Sequence, residues 1–161
     1  MTDTPADPPW LTADEQRLWR AWLDLGTALP AALHRDLQAS SGLSLPDFDV
    51  LVRLTEAEAG RIRVSELARG LEWERSRLSH HVTRMERRGL VERDDCVDDG
   101  RGAFVVLTQA GRAAIEAAAP DHVRTVRHLF VDELGAGEVE VLTGIVERLL
   151  ARVRRDAERP H

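Results

Sequence analysis

The segment from Ser65 to Thr108 constrains the fold more than any other part of the chain. It begins with a short predicted helix over 65–71, followed by a second helix, Glu74 to Arg88, that is rich in Arg, Ser and His. Gly89 ends the second helix, and β-branched residues then flank the turn sequence 98–102. This order of parts predicts a helix-turn-helix followed by a β-hairpin wing, in which one helix enters a major groove and the hairpin lies beside it.

The distribution of charge along the chain supports a nucleic-acid partner, although the net charge of the whole chain is −6. Residues 61–93 carry nine Arg against five Glu, whereas residues 1–60 and 94–161 are both net acidic. The net-basic block therefore coincides with the predicted helix-turn-helix. Phosphate contacts need this local positive charge, while acidic flanks keep a protein soluble and weaken indiscriminate binding to nucleic acid.

The composition argues against several other classes of protein. No apolar run approaches the ~20 residues that cross a bilayer, and the acidic, Pro-rich start from Met1 to Pro9 lacks the basic and apolar parts of a signal peptide. We therefore expect a cytoplasmic protein without membrane contact. The single cysteine, Cys96, excludes an internal disulfide and a Cys-based zinc site, and no motif indicates a metal or another cofactor.

Helices are predicted on both sides of the central segment, so we expect a mainly α fold with a small β-hairpin wing. The chain divides into a disordered N-terminal tail (1–11), a first dimerisation helix (12–40), a winged helix-turn-helix DNA-binding lobe (44–108) and C-terminal dimerisation helices (109–157). Thr12 and Glu15 predict a capping box at the start of the first helix. Pro30 predicts a kink or a break within that helix.

The helices around the lobe are expected to mediate dimerisation. Ser44 is the predicted N-cap of a second helix, roughly Pro46 to Ala57. After the lobe, Pro120 requires a kink or a restart in a helical region that continues to Leu134, and the last helix is predicted from Glu138 to Arg155. The apolar faces of the first and last helices are too large for the lobe to cover, so we expect a homodimer in which they pack against a second copy of the chain.

The helix predicted from Glu74 to Arg88 separates packing residues from candidate DNA contacts. At 100° per residue, Leu78, Val82 and Met85 share one side. His81 lies near that side and is expected to be a packing residue rather than a reader or a metal ligand. The opposite side and its flanks carry hydroxyl, imidazole and guanidinium groups but no carboxylate: Ser76, Arg77, Ser79, His80, Thr83, Arg84 and Arg87. A solvated helix face usually mixes both signs of charge, so this asymmetry favours DNA contact.

Position along this helix divides the candidate contacts by role. The N-terminal half of a recognition helix points at base edges, so Ser76, Arg77 and His80 are the candidate base readers. Arg77 is suited to bidentate donation to guanine O6 and N7. The candidates for holding phosphates lie further along the helix and are Thr83, Arg84 and Arg87.

The wing is predicted from two strands, 91–93 and 103–107, around the turn 98–102. Arg101 at the tip is expected to enter a narrow minor groove, where negative potential attracts Arg. Asp99 is expected to support the wing by orienting Arg101. The alternative is a solvated turn that makes no contact with DNA.

Five segments, in order along nearly the whole chain, carry a family resemblance: Leu43 to Leu51, Ser65 to Ala68, Arg77 to Val91, Asp99 to Arg101 and Leu107 to Gly111. In these segments the chain resembles the multiple-antibiotic-resistance regulator (MarR) family of winged-helix transcription factors. The resemblance implies an obligate dimer built from the first and last helices, recognition of pseudo-palindromic sites near promoters, and usually repression. It also implies what is often found in the family, release by a small aromatic or phenolic effector bound between the dimer base and the winged lobe.

Candidate regulatory residues lie outside the recognition helix. Trp19, Trp22, His34 and Arg53 are candidates for an aromatic effector pocket, with a role in the core or in the dimer interface as the alternative. Cys96 lies at the root of the wing, whereas the peroxide-sensing branch of the family has its reactive cysteine near the start of the first helix. The resemblance therefore does not extend to peroxide sensing, and the acidic residues near Cys96 disfavour a thiolate.

Two other classes of function compete with DNA binding. Catalysis would need a nucleophile–base pair, a metal cluster or a phosphate-binding loop, and the sequence shows none of these motifs, so we do not expect an enzyme. A winged-helix dimer that acts through protein–protein contacts without binding DNA is the stronger alternative, because the acidic ends of the chain permit it. Salt dependence separates the two, since a DNA reader with several phosphate contacts loses affinity steeply as salt rises.

Overall fold

The computed structural model describes residues 10–95, 103–157 and 159. Helices dominate, and a small three-stranded antiparallel sheet accompanies them, which confirms the predicted fold class. The elements in chain order are α1 (Ala13–Ser41), α2 (Leu45–Glu56), β1 (Arg61–Arg63), α3 (Val64–Gly70), α4 (Arg75–Arg87), β2 (Val91–Asp95), β3 (Ala103–Leu107), α5 (Gln109–Leu129) and α6 (Glu138–Ala157). Single 3-10 turns at Glu58–Gly60 and Val131–Glu133 follow α2 and α5.

Helix α1 begins at the predicted capping box and is longer than its proline suggested. The Thr12 hydroxyl accepts from the Glu15 amide at 3.3 Å, and the Glu15 carboxylate accepts from the Thr12 amide at 2.7 Å. The helix then continues across Pro30, so of the predicted kink or break the break is wrong. Proline removes one backbone hydrogen bond, and the packing of α1 against α5 and α2 is extensive enough to keep the helix continuous.

Helix α2 supplies much of the core of the DNA-binding lobe. Ser44 is its N-cap, as predicted, and forms a capping box with Asp47. Phe48, Leu51 and Leu54 are buried in the core that α2 shares with α3, α4 and β3. The other large side chains that are fully buried in this core are Leu37, Leu43, Val50, Leu67, Leu78, Val82, Met85, Val91 and Val105.

The sheet contains one strand more than the sequence indicated. Its order is β1-β3-β2, with Ile62 of β1 and Arg93 of β2 both paired with Val105 of β3. Strand β1 is three residues long and has Arg at both ends, so its sequence lacks the β-branched run that marks a strand. Only its pairing with β3 makes it part of the wing.

The C-terminal helices differ from the prediction at two points. Helix α5 continues through Pro120, without the break that this residue suggested. It ends at Leu129 rather than Leu134, and the 3-10 turn Val131–Glu133 follows it. Among the residues that the structure describes, none of the helices combines the length and apolarity that crossing a bilayer requires.

Large apolar side chains remain exposed on the first and last helices. Helix α6, which is described throughout, has no buried residue. The exposed apolar residues of α6 are Val139, Val141, Ile145, Leu149, Leu150 and Val153, and those of α1 are Leu18, Trp19, Trp22, Leu23 and Leu25. Monomeric proteins rarely leave apolar surface of this extent uncovered.

Candidate nucleic-acid interface

Helix α4 presents a polar face away from the core, in agreement with its sequence periodicity. Leu78, Val82 and Met85 are buried on the inner side. The residues that the structure places in solvent on the other side are Ser76, Arg77, His80, Arg84 and Arg87. Ser79 and Thr83, at the edge of this set, are only half exposed. We call the seven residues the α4 outer face.

Arg93 of β2 binds the edge of the α4 outer face, a contact that the sequence did not predict. Its Nη2 donates to the Ser79 carbonyl at 2.7 Å and to the Ser79 and Thr83 hydroxyls, both at 3.2 Å. Its Nε lies 3.4 Å from the Glu86 carboxylate. The Thr83 hydroxyl also donates to the Ser79 carbonyl at 3.0 Å. Two of the predicted DNA contacts therefore have hydrogen-bond partners within the protein.

Arg77 lies at the first turn of α4 against an aromatic ring. Its guanidinium carbon is 4.5 Å from the centroid of Trp73, within the range of a cation–π interaction. This contact restricts the side chain without occupying its N–H donors. An arginine held in this way keeps the planar fork that recognises guanine O6 and N7.

The Arg84 guanidinium contacts the ring of His81, which is buried as predicted. Nη2 of Arg84 lies 2.9 Å from Nδ1 of His81. Nε2 of the same ring lies 3.0 Å from Oδ1 of Asp47, but the angle is not that of a hydrogen bond, and Nε2 has no hydrogen-bond partner among the described residues. Oδ2 of Asp47 accepts from Arg88 at 2.7 Å and from the Ser44 amide at 2.9 Å. One buried carboxylate thus connects the start of α2 to Arg88 directly and to Arg84 through the His81 ring.

Asp47 is ionised in this setting. Burial raises the pKa of the carboxyl, but the close contact with His81 and the hydrogen bonds from the Ser44 backbone and from Arg88 outweigh it. The pKa of Asp47 therefore lies well below its usual range. A buried negative charge is tolerated here because Oδ2 of the carboxylate accepts two hydrogen bonds and Oδ1 lies 3.0 Å from the His81 ring.

The tip of the wing lies outside the described residues. This applies to the predicted minor-groove residue Arg101, to its supporting residue Asp99 and to Cys96. The described strands β2 and β3 lead to that tip and pair over five residues, from Val91↔Leu107 to Asp95↔Ala103. On the sheet, Arg61 and Arg63 of β1 place their guanidinium carbons 4.0 and 4.8 Å from the centroid of the Phe104 ring.

The four candidate effector residues lie at three separate places in the single chain. Arg53 lines a cavity of about 420 Å³ together with Phe48, Asp49 and His122. His34 lines a different cavity of about 400 Å³ beside α4. Trp19 and Trp22 are exposed on α1 and line neither cavity. Within one chain the structure therefore does not bring the four together.

The cavity beside Arg53 combines aromatic and titratable groups. The ring of His122 packs on Phe48 at a centroid distance of 4.2 Å, and its buried Nδ1 has no partner among the described residues. Burial lowers the pKa of His122, against the opposing effect of Asp49 and Asp36. Burial likewise raises the pKa of Asp49, against the opposing effect of His122 and Arg53. The Arg53 guanidinium donates to the Gly70 carbonyl at 3.0 Å.

The lobe formed by α2 to β3, with its arginine-rich helix α4 and its hairpin of β2 and β3, is that of a winged-helix DNA-binding protein. Comparison with known proteins identifies the family. A sequence profile of the MarR family matches residues 43–102. A search of curated protein sequences gives no match to the chain.

Solved structures extend the similarity to nearly the whole chain. AbsC, a MarR family transcriptional regulator from Streptomyces coelicolor, is 40% identical, with 91% of this chain and 98% of AbsC covered and a TM-score of 0.85. Sco3205 from the same organism, solved in complex with DNA, is 40% identical, with 91% of each chain covered and a TM-score of 0.84. A mutant of MarR from E. coli, complexed with operator DNA, is 25% identical, with 88% of this chain and 99% of that chain covered and a TM-score of 0.75. The chain belongs to the MarR family of transcriptional regulators.

Proposed function

We propose that this protein is a repressor that binds a pseudo-palindromic operator as a homodimer, with α4 in the major groove of each half-site. The observation that carries the proposal is the α4 outer face, which has exposed hydroxyl, imidazole and guanidinium donors and no carboxylate. The related Sco3205 and MarR structures contain DNA, which supports the same mode of binding here. Regulators of this family are not enzymes, and we assign no catalytic role.

Ser76, Arg77 and His80 are the proposed base readers, since they are exposed on the first two turns of α4. Arg84 and Arg87, exposed further along, are proposed to hold phosphates. Arg101 of the wing is proposed to enter the minor groove, supported by Asp99. Ser79 and Thr83 remain proposed DNA contacts, through the hydrogen bonds that their hydroxyl groups can form in addition to those with Arg93.

The proposed dimer uses α1, α5 and α6. This assignment is supported by the exposed apolar side chains of α1 and α6, which no other part of the described chain covers. A second copy with the same faces would cover both, as an isologous interface requires. Two α4 helices related by a twofold axis would then contact two half-sites of one operator.

A small aromatic or phenolic effector is proposed to release the DNA. The cavity lined by Arg53 provides a guanidinium together with the rings of Phe48 and His122. A guanidinium beside aromatic rings suits an aromatic carboxylate or phenolate, because the ring packs on rings and the anion pairs with the arginine. Occupation of this cavity, between α2, α5 and α6, would alter the relative position of the lobe and the dimer helices.

The experiment that tests the proposal is selection of bound sites from a random pool of DNA duplexes, followed by titration of the selected duplex at several salt concentrations. We expect a pseudo-palindromic consensus and a logarithmic affinity that falls linearly with the logarithm of salt. Failure to enrich any sequence, with weak binding to all duplexes, would favour the alternative of a winged-helix dimer that acts through protein contacts.

Two arginine variants then test the assignment of roles. Arg77→Ala is expected to cost about 1–3 kcal/mol and to relax preference at one base pair per half-site. Arg84→Ala is expected to weaken binding to all sequences about equally and to lower the salt slope by about one. Arg148→Ala on α6 removes the same charge outside the α4 outer face and serves as the matched control. Equal loss of sequence preference in both α4 variants would contradict the division of roles.

A further inference from the structure

The two buried polar side chains of the described chain are in contact with each other. Asp47 is 3% exposed and His81 is 6% exposed, and the other buried side chains among the described residues are apolar. Asp47 belongs to α2 and His81 to α4, so their contact joins two helices of the lobe. Polar groups are costly to bury unless they form specific hydrogen bonds, so the partners of this pair indicate why it is buried.

The hydrogen bonds of His81 define its tautomer. A guanidinium has only N–H donors, so the contact of 2.9 Å between Arg84 and Nδ1 requires Nδ1 to accept. The ring proton then resides on Nε2, which faces Oδ1 of Asp47 at 3.0 Å, a favourable electrostatic contact that lacks the angle of a hydrogen bond. The neutral Nε2–H form thus satisfies both neighbours, whereas a proton on Nδ1 would face the donors of Arg84.

The other groups around the ring fix the pair in place. Oδ2 of Asp47 is anchored by Arg88 and by the Ser44 amide. The Trp73 ring meets the His81 ring edge-on, at a centroid distance of 5.4 Å and an angle of 87°. The cavity on this side of α4 is also lined by Arg77 and Arg88 from α4 and its C-cap and by His34 from α1.

We propose that Asp47 and His81 are positioning residues for DNA binding, which hold the Arg84 guanidinium at the flank of α4 ready for a phosphate. This inference rests on the proposed function, in which Arg84 contacts the DNA backbone. Asp47 selects the tautomer of His81, and Nδ1 of His81 accepts one N–H of Arg84. The four remaining N–H donors of the exposed guanidinium stay available to the phosphate.

Holding Arg84 before DNA arrives increases affinity because less side-chain freedom is lost on binding. Immobilising a flexible side chain reduces affinity by about 2- to 10-fold, so losing the contact with His81 is expected to weaken operator binding by that factor. The loss must disappear when Arg84 itself is absent. This dependence distinguishes positioning of Arg84 from a general contribution of His81 to the fold.

The test is a double-mutant cycle on the operator selected from the random pool. His81→Phe keeps a ring in the buried site but removes both nitrogens, and we expect it to weaken binding about 2- to 10-fold in the native background and less than about 2-fold in the Arg84→Ala background. Arg87→Ala is the matched control background, because Arg87 is a second proposed phosphate contact and is not bonded to His81 in the structure. There the full loss is expected to persist. His81→Asn, whose amide oxygen can replace Nδ1 as acceptor, is expected to restore part of the affinity.

Nitrogen-15 NMR of the His81 ring in the DNA-free, full-length protein gives a second readout that does not depend on the stability of the variants. We expect the proton on Nε2 in the native chain. A proton on Nδ1, an equal loss from His81→Phe in the native and Arg84→Ala backgrounds, or tighter binding by His81→Phe would each overturn the proposal. If Arg84→Ala binds like the native protein, positioning is refuted while DNA binding stands. If the native protein selects no DNA, the proposed function itself has failed.

Discussion

Gly111→Ala is expected to destabilise the protein, although Gly111 lies in the first turn of α5 and alanine is the better helix former. A Cβ placed on Gly111 would lie 2.0 Å from the carbonyl oxygen of Leu90 and 3.0 Å from a methyl carbon of Leu107. The nearer obstacle is backbone, so it cannot move aside by changing a rotamer. Glycine is therefore required for the close approach of α5 to the start of β2.

Three contributions, one gain and two losses, determine the expected change in the free energy of unfolding. Alanine in place of glycine within a helix gains about 0.5–1 kcal/mol. Overpacking typically costs about 1–3 kcal/mol. The Leu90 carbonyl also accepts from the Thr108 amide at 3.3 Å and from the Thr108 hydroxyl at 2.9 Å, although this hydroxyl is shared with the Gly89 carbonyl at 2.7 Å. Displacing the Leu90 carbonyl weakens up to two hydrogen bonds of about 0.5–1.5 kcal/mol each. These contributions combine to a net loss of about 1–5 kcal/mol, with a central value of ~3 kcal/mol.

Thermal unfolding followed by circular dichroism measures this loss, at one fixed protein concentration because dimerisation makes Tm concentration-dependent. A loss of this size lowers the Tm of a chain of 161 residues by about 5–15 °C. Gly144→Ala is the matched control, since a Cβ at Gly144 in α6 meets no atom within 4 Å and is expected to raise stability slightly. A Gly111→Ala protein as stable as the Gly144→Ala protein would refute the reasoning.

Three further predictions concern the wing, the dimer and pH. Arg101→Ala is expected to reduce affinity most for operators with A·T-rich flanks and to leave the sequence preference of the recognition helix intact. If the variant binds operators with A·T-rich and with G·C-rich flanks as tightly as the native protein does, the wing takes no part in recognition. Light scattering is expected to give a mass of twice 18.0 kDa for the intact chain. Deletion from Glu138 onward is expected to abolish dimerisation or folding, so a stable monomer from that truncation would exclude the proposed interface. Because burial lowers the pKa of His122, the unfolded chain binds this proton at a higher pH than the folded chain. The free energy of unfolding is therefore expected to fall as pH drops below the ordinary value of 6.5, and urea titrations of native and His122→Phe proteins between about pH 5 and 8 should differ in this slope.

Local sequence signals predicted the helices and their starts. A capping box involves residues three apart, so Thr12 with Glu15 and Ser44 as N-cap were predictable and are confirmed. The period of 3.6 residues likewise separated the buried side of α4 from its exposed side. It correctly assigned His81 to the buried side. It did not indicate which residue His81 contacts.

The features that were not predicted depend on residues far apart in the chain. Strand β1 becomes a strand by pairing with β3, about forty residues later, as in the pair Ile62↔Val105. Both helical prolines are accommodated for a similar reason, because α1 and α5 pack along each other. The Thr125 hydroxyl of α5, for example, donates to Asp36 of α1 at 2.7 Å. The expectation that proline kinks or breaks a helix considers that helix alone, so it does not include the stabilisation that this packing provides.

The hydrogen bonds of Arg93 reduce the number of α4 residues that can determine which DNA sequence the protein prefers. Its guanidinium donates to the hydroxyls of Ser79 and Thr83, so those oxygens have less capacity to contact bases. Within the α4 outer face, the exposed donors of the first two turns that Arg93 does not contact are Ser76, Arg77 and His80. Sequence preference should therefore be determined mainly there. Arg93 is itself part of the wing strand β2, so its hydrogen bonds join the wing to the edge of the α4 outer face. The Arg93 amide also donates to the Glu86 carboxylate of α4 at 3.1 Å, so both the backbone and the side chain of this residue join β2 to α4.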